Sequence, residues 1–266
     1  MESHVESLSD FAKQKVLAVQ DYTLLSLQSI SNLFRYPRYL ADTVLQADFI
    51  GVGSLPVVIL AGAAVGAELA LNSSSTLEKF GALSEIAPLV SEGMIRELGP
   101  LITALMVAGR NASGMAGELG SMTVTEQIDA MRALGTDPLK KLVTPRVIAT
   151  IFMLFWLVII SDFVGLIGGG LIATLLYRMD WHEYWTAAWQ ILDYKDLTVG
   201  LIKPPLFGFI IATIGCSYGM TTEGGTQGVG RSTTQAVVAS CVLILISDLL
   251  VTKFLMTVFA FQGSYF

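Results

Sequence analysis

Two carboxylates inside apolar runs have the strongest claim to chemistry. Asp162 (IISDF) and Asp248 (LISDL) each follow a serine, and each stands fifteen or sixteen residues into a long hydrophobic segment. An ionisable group at that depth is costly and points to function. Two of them at one depth could share a proton, as the carboxylates of an intramembrane aspartyl hydrolase would. Each could instead hydrogen-bond a neighbouring helix or pair with Lys203, Lys253 or Arg110. Arg96 and Glu97, just ahead of Gly99-Pro100, form either a local ion pair or, with Glu68 and Lys203, the polar rim of a cavity for a charged head group.

A second group of residues suits docking. In SMTVTEQIDAMRALGTDP (121–138), Thr123 and Glu126 fit a reciprocal capping box. Val124, Ile128, Met131 and Leu134 make an apolar stripe, and Glu126, Asp129 and Arg132 share the polar side. Gly135 suits the position just past a helix end, and Pro138 blocks continuation. The pattern predicts a short amphipathic helix that either docks a partner or rests on a lipid surface. Two other signals carry no site. Gly225-x-x-x-x-Gly230-Arg231-Ser232 mimics a phosphate-binding loop, but Arg replaces the required Lys and no strand precedes it. We read it as a turn in which Ser232 or Thr233 caps the next helix. Cys216 and Cys241 lie in apolar runs and read as buried thiols; with only two histidines they make no persuasive metal site.

The elements that hold these residues follow from composition. The 266 residues are 53% hydrophobic and only 14% charged, with mean hydropathy +0.64. A soluble domain carries about a quarter charged residues, so a soluble enzyme is excluded. The net charge of −6 argues against a nucleic-acid partner. The pattern predicts an all-α integral membrane protein in two parts: residues 1–48, holding an interfacial amphipathic helix, and a five-span domain over 49–266. The arm's apolar stripe is Phe11, Leu17, Leu24, Leu27, Ile30 and Phe34, broken at Pro37; a soluble helix packed on a partner is the alternative.

Spans are expected at 49–71, 98–119, 147–177, 198–220 and 232–261, with a polar turn at Asn72–Thr76. The second is weak. Between Glu97 and Arg110 a helix rises only about 18 Å, against a hydrocarbon core of roughly 30 Å, so its neighbours must shield it. Ten of the sixteen Lys and Arg fall on one side, five of them in the stretch from Arg110, late in the second span, to Arg146, just before the third, which sets the N-terminus inside. Trp181, Trp185 and Trp189 share one face of a short helix, as in an aromatic belt at the outer interface. Gly62/Gly66, Gly165/Gly169 and Gly215/Gly219 form GxxxG pairs suited to close helix crossings. The acidic, polar Met1–Asp10 has no secretory-signal pattern, and no organelle transit pattern is seen. No internal repeat marks a secondary transporter.

RELGPLITALMVAGR (96–110), ELGSMTVTEQIDAMRALGTDPLKKLVTPRVIA (118–149) and GLIK…GGTQGVGRSTTQAVV (200–238) resemble the MlaE/YrbE permease family, the membrane subunits of bacterial lipid-moving ABC systems with relatives in the chloroplast envelope. The resemblance covers residues 40–262. It implies a homodimer that binds no cofactor and is not itself an enzyme, ATP and Mg being held by two cytoplasmic ATPase subunits. Those subunits would dock on the helix carrying Glu126, Gln127, Asp129 and Arg132. It also implies an MCE-domain protein on the outer side, often hexameric, a small STAS-domain protein on the ATPase, and a phospholipid between the two copies. The system would sit in a bacterial inner membrane and maintain outer-membrane lipid asymmetry. Arg96, Glu97, Lys203, Glu68 and Arg110 would lie along the lipid path.

Overall fold

The computed structural model describes residue 20, residues 22–32 and residues 39–263, with side chains through Val258. Phe11, Leu17, Phe34 and Pro37 lie outside the described residues. Residues 22–32 are helical. Tyr22 packs on the bundle and its hydroxyl meets Thr213 Oγ1 at 3.1 Å, whereas Leu24, Leu27 and Ile30 of the expected stripe face outward.

The remaining helices are α1 (Leu40–Lys79), α2 (Ile86–Gly93), α3 (Gly99–Val107), α4 (Ser113–Val124), α5 (Gln127–Ala133), α6 (Thr144–Tyr177), α7 (Trp181–Gln190), α8 (Tyr194–Met220) and α9 (Gly225–Gly263). No strand occurs among the described residues. Four helical segments are long and apolar enough to cross a membrane: α1, α6 with the wide turn before it, α8, and α9 through Val258. The chain is an all-α, multi-pass membrane protein.

The weak second span is the exception, and the structure shows how it is accommodated. α2, α3 and α4 are joined end to end by two π-turns, Met94–Leu98 and Ala108–Ala112, into one helical column over residues 86–124. Its wall is narrow. Ala104, Ala108, Ala112 and Ala116 are fully buried, so α8 and α9 close on it. A Cβ at Gly215 or Gly219 would press on Ala112, Ala116 and Leu119 at 2.7–3.2 Å. Polarity that lipid would penalise is covered by protein instead.

The other GxxxG pairs bring α1 and α6 together. A Cβ at Gly62 would stand 2.8 Å from the Ser161 carbonyl, and one at Gly66 would overlap the Gly165 carbonyl. Three apolar clusters follow the column: Met94 and Tyr184 toward α7, Ala104, Leu154 and Phe207 in the middle, and Met115, Val147 and Cys216 toward α5.

Several boundaries differ from expectation. α1 starts at Leu40, inside the expected arm, and runs through Asn72–Thr76 to Lys79; within that stretch the Ser74 and Ser75 hydroxyls donate back to the Leu71 and Asn72 carbonyls, so the polar run is accommodated in the helix. α9 starts at Gly225, so Gly230, Arg231 and Ser232 are helical. Ser232 caps nothing, and its Oγ meets Thr222 Oγ1 at 2.9 Å. The strain sits ahead of it, at Gly224 and Gly225 with φ of +88° and +67°, where only glycine is at ease. α6 and α8 begin three or four residues before their predicted starts and end where expected. Asp193 and Asp196 form a capping box at the start of α8.

Candidate functional site

The first π-turn carries the main polar assembly. A π-turn inserts one residue into the helical ladder and recurs at functional sites. Here the Met94 carbonyl accepts from Gly99 N, five residues on, and the Arg96 carbonyl accepts from Lys203 Nζ at 2.9 Å. Lys203 is fully buried in α8. Its ammonium also donates to Glu97 Oε2 at 2.6 Å and pairs with Asp248 Oδ1 of α9 at 2.9 Å. Two hydrogen bonds and the Asp248 ion pair thus surround the ammonium, the kind of pairing a buried charge needs to persist. Thr252 Oγ1 donates to Glu97 Oε1 at 3.2 Å. Arg96 Nη1 pairs with Glu92 and lies 3.6 Å from Asp196. Three elements thus converge on one charged knot. A cavity of about 330 Å³ beside it is lined by Leu89, Glu92, Gly93, Arg96, Glu97 and Met256.

The second π-turn carries Arg110, about 20 Å further along the axis. Arg110 Nη1 donates to the Phe49 carbonyl (3.0 Å) and Ser54 Oγ (3.2 Å), and the guanidinium lies over the Phe49 ring at 4.8 Å. Asn111 Nδ2 donates to the same Ser54 hydroxyl at 3.3 Å. Glu118 of α4 pairs with the buried Arg146 of α6 at 2.7 Å. Arg110 therefore does not join the Lys203 knot. Neither does Glu68, which is exposed on α1 with no hydrogen bond or ion pair among the described residues.

The two intramembrane aspartates part company. Asp248 is held by Lys203, whereas Asp162 Oδ1 is buried against Gly99 with no polar partner. No hydrogen bond joins the two carboxylates among the described residues, so no observation here favours a shared proton.

The short amphipathic helix is present as α5, but its start is not the predicted capping box. α4 continues to Val124, and Thr123 Oγ1 donates to the Leu119 carbonyl (2.8 Å) and the Gly219 carbonyl (3.1 Å). Glu126 instead takes a left-handed turn, φ 59°, which redirects the chain into α5. Gln127 Nε2 donates to Thr125 Oγ1 at 3.0 Å, and Asp129 and Arg132 pair at 3.0 Å on the exposed side. Ile128 is buried; Leu134 is 83% exposed. The far end closes as expected, with Gly135 at φ +75°, its N–H on the Arg132 carbonyl and Thr136 N on the Met131 carbonyl.

At the other end of the column, Ser91 Oγ donates to the Ala188 carbonyl at 2.8 Å, and the Tyr184 hydroxyl donates to the Leu166 carbonyl at 3.1 Å, fixing α7. Trp181, Trp185 and Trp189 stand ring to ring along α7, with successive centroids 5.8 and 6.3 Å apart. Sequence spacing found this row. It could not find Glu118–Arg146, Ser54 or Thr252, whose partners are far apart in the chain.

Fold and site together define a helical membrane protein with a cluster of paired charges enclosed between its helices, the kind of intramembrane polarity that marks a functional path. The family profile described as Permease MlaE matches residues 43–254. A "Probable ABC transporter permease protein" of Rickettsia felis is 44% identical over 89% of this chain and 91% of its own length. A protein of the same description from Synechocystis is 39% identical over 84% of this chain and 83% of its own. The chloroplast protein TRIGALACTOSYLDIACYLGLYCEROL 1 of Arabidopsis thaliana is 38% identical over 84% of this chain and 62% of its own. The chain belongs to the MlaE permease family. It is a permease.

Proposed function

We propose that this permease is the transmembrane subunit of an ATP-driven phospholipid transporter in a bacterial inner membrane. It works as a homodimer with five crossings per copy, the 86–124 column being the fifth. Relatives described as ABC transporter permeases support a pair of separate ATPase subunits as the source of energy, and they dock on α5 through Glu126, Gln127, Asp129 and Arg132. An MCE-domain protein, hexameric, meets the opposite face near α7, and a STAS-domain protein binds the ATPase. The cargo passes from the inner membrane to the MCE ring or back, sustaining outer-membrane asymmetry. ATP and Mg stay on the ATPase.

The observation that carries this reading is the column itself. Only Thr125 and Glu126 separate α4 from α5, so a displacement of α5 is delivered to the helix that holds Glu97 and Arg110. N-terminal topology is inside, with α5 and the ATPase on the cytoplasmic face.

The test is ATP-dependent lipid transfer between proteoliposomes and acceptor MCE protein, using the chain co-purified with its ATPase. Glu126→Lys should abolish transfer and ATPase recovery while the chain still inserts in the membrane. Wild-type transfer by that variant, or nucleotide hydrolysis by the permease alone, would overturn the assignment.

A further inference from the structure

The knot at the first π-turn is unbalanced in charge. Four carboxylates, Glu92, Glu97, Asp196 and Asp248, surround two cations, Arg96 and Lys203. Neither cation is free. Lys203 is wholly enclosed, hydrogen-bonded to the Arg96 carbonyl and Glu97 and paired with Asp248, and Arg96 is spanned between Glu92 and Asp196. What the assembly presents to the adjoining cavity is carboxylate: the Glu92 side chain is 45% exposed and that of Glu97 34%, against 24% for Arg96. The remaining wall, Leu89, Gly93 and Met256, is apolar.

From this geometry we infer that the cavity selects phospholipids whose head group carries its own ammonium, and rejects anionic head groups. The inference rests on the lipid reading above and refines it. An amine-bearing head group brings a cation to Glu92 or Glu97 and leaves its phosphate beside Arg96, so the net charge of the cavity is met without breaking an existing pair. A glycerol-type head group brings only the negative phosphate. That phosphate meets the same carboxylates with no ammonium to offset them. A volume of about 330 Å³ accommodates a head group, with acyl chains leaving along the apolar side.

The experiment is lipid retention by the full-length protein. The chain is purified in detergent, exchanged with an equimolar mixture of phosphatidylethanolamine and phosphatidylglycerol of identical acyl chains, and its bound lipid is measured by mass spectrometry. The wild type should retain the ethanolamine lipid at least fivefold over the glycerol lipid. Glu92→Gln, at a half-exposed position that does not support the buried Lys203, should bring the ratio close to one. Glu92→Lys should invert it. Glu78→Gln, exposed near the end of α1, should leave the ratio as in the wild type.

Retention of both lipids in the input ratio by the wild type, or a Glu92→Lys ratio unchanged from wild type, overturns the selectivity while leaving lipid transport standing. Retention of neither lipid overturns the lipid reading itself.

Discussion

Lys203 shows how one residue can be indispensable without being reactive. Its removal leaves the largely enclosed Asp248 and the one-third-exposed Glu97 without their cation; breaking a fully buried pair costs about 3–5 kcal/mol and this partly exposed one somewhat less, whereas replacing the whole group by neutral residues costs far less again. Lys203→Met should therefore depress the thermal midpoint of the detergent-solubilised protein strongly, and Lys203→Met with Glu97→Gln and Asp248→Asn should restore most of it. Glu126 makes a backbone demand instead. A left-handed residue other than glycine costs roughly 1–2 kcal/mol, more when β-branched. Glu126 already carries that cost, so Glu126→Val should lower stability further only by the added β-branched penalty in a denaturation series, and Glu126→Gly should not lower it. Half of the Lys203 pairing was legible from the chain, since an intramembrane Asp requires a cation and Lys203 was among the choices. The choice of Asp248 over Asp162 was not, because it depends on which helix faces α8.

At the level of elements, the glycines separate into two kinds. Gly66 meets the backbone of α6, and Gly66→Leu should split the α1–α6 crossing at a cost of at least about 3 kcal/mol. Gly230 has open space around it inside α9, and Gly230→Ala should raise stability by about 0.5–1 kcal/mol, both read from thermal melts. α6 and α8 were legible because apolar runs of their length admit little else. The second span was legible only as a problem. Hydropathy measures affinity for lipid, and a helix enclosed by α8 and α9 has no need of it. The capping box at Thr123 failed for a related reason: that hydroxyl has a better-placed acceptor in the Gly219 carbonyl, on another helix.

Across the whole molecule, α5 and α7 mark opposite ends of one helical column, and a topology experiment follows. With Cys216 and Cys241 replaced by alanine, Arg132→Cys on α5 and Glu183→Cys on α7 should react with an impermeant maleimide from opposite sides of the membrane, α5 from the cytoplasm. Labelling of both from one side would remove the proposed arrangement. Capture of the column's role required three dimensions, because Ser91, the two π-turns and Glu126 share no sequence pattern. Its continuity has a consequence for how such chains can diverge. Each added or lost residue turns everything beyond it by about 100°, so between Glu97 and Arg110 a gap of a single codon would swing one charged station away from its partners while the other stayed engaged. That interval should keep its length across descendants even where its side chains are freely exchanged.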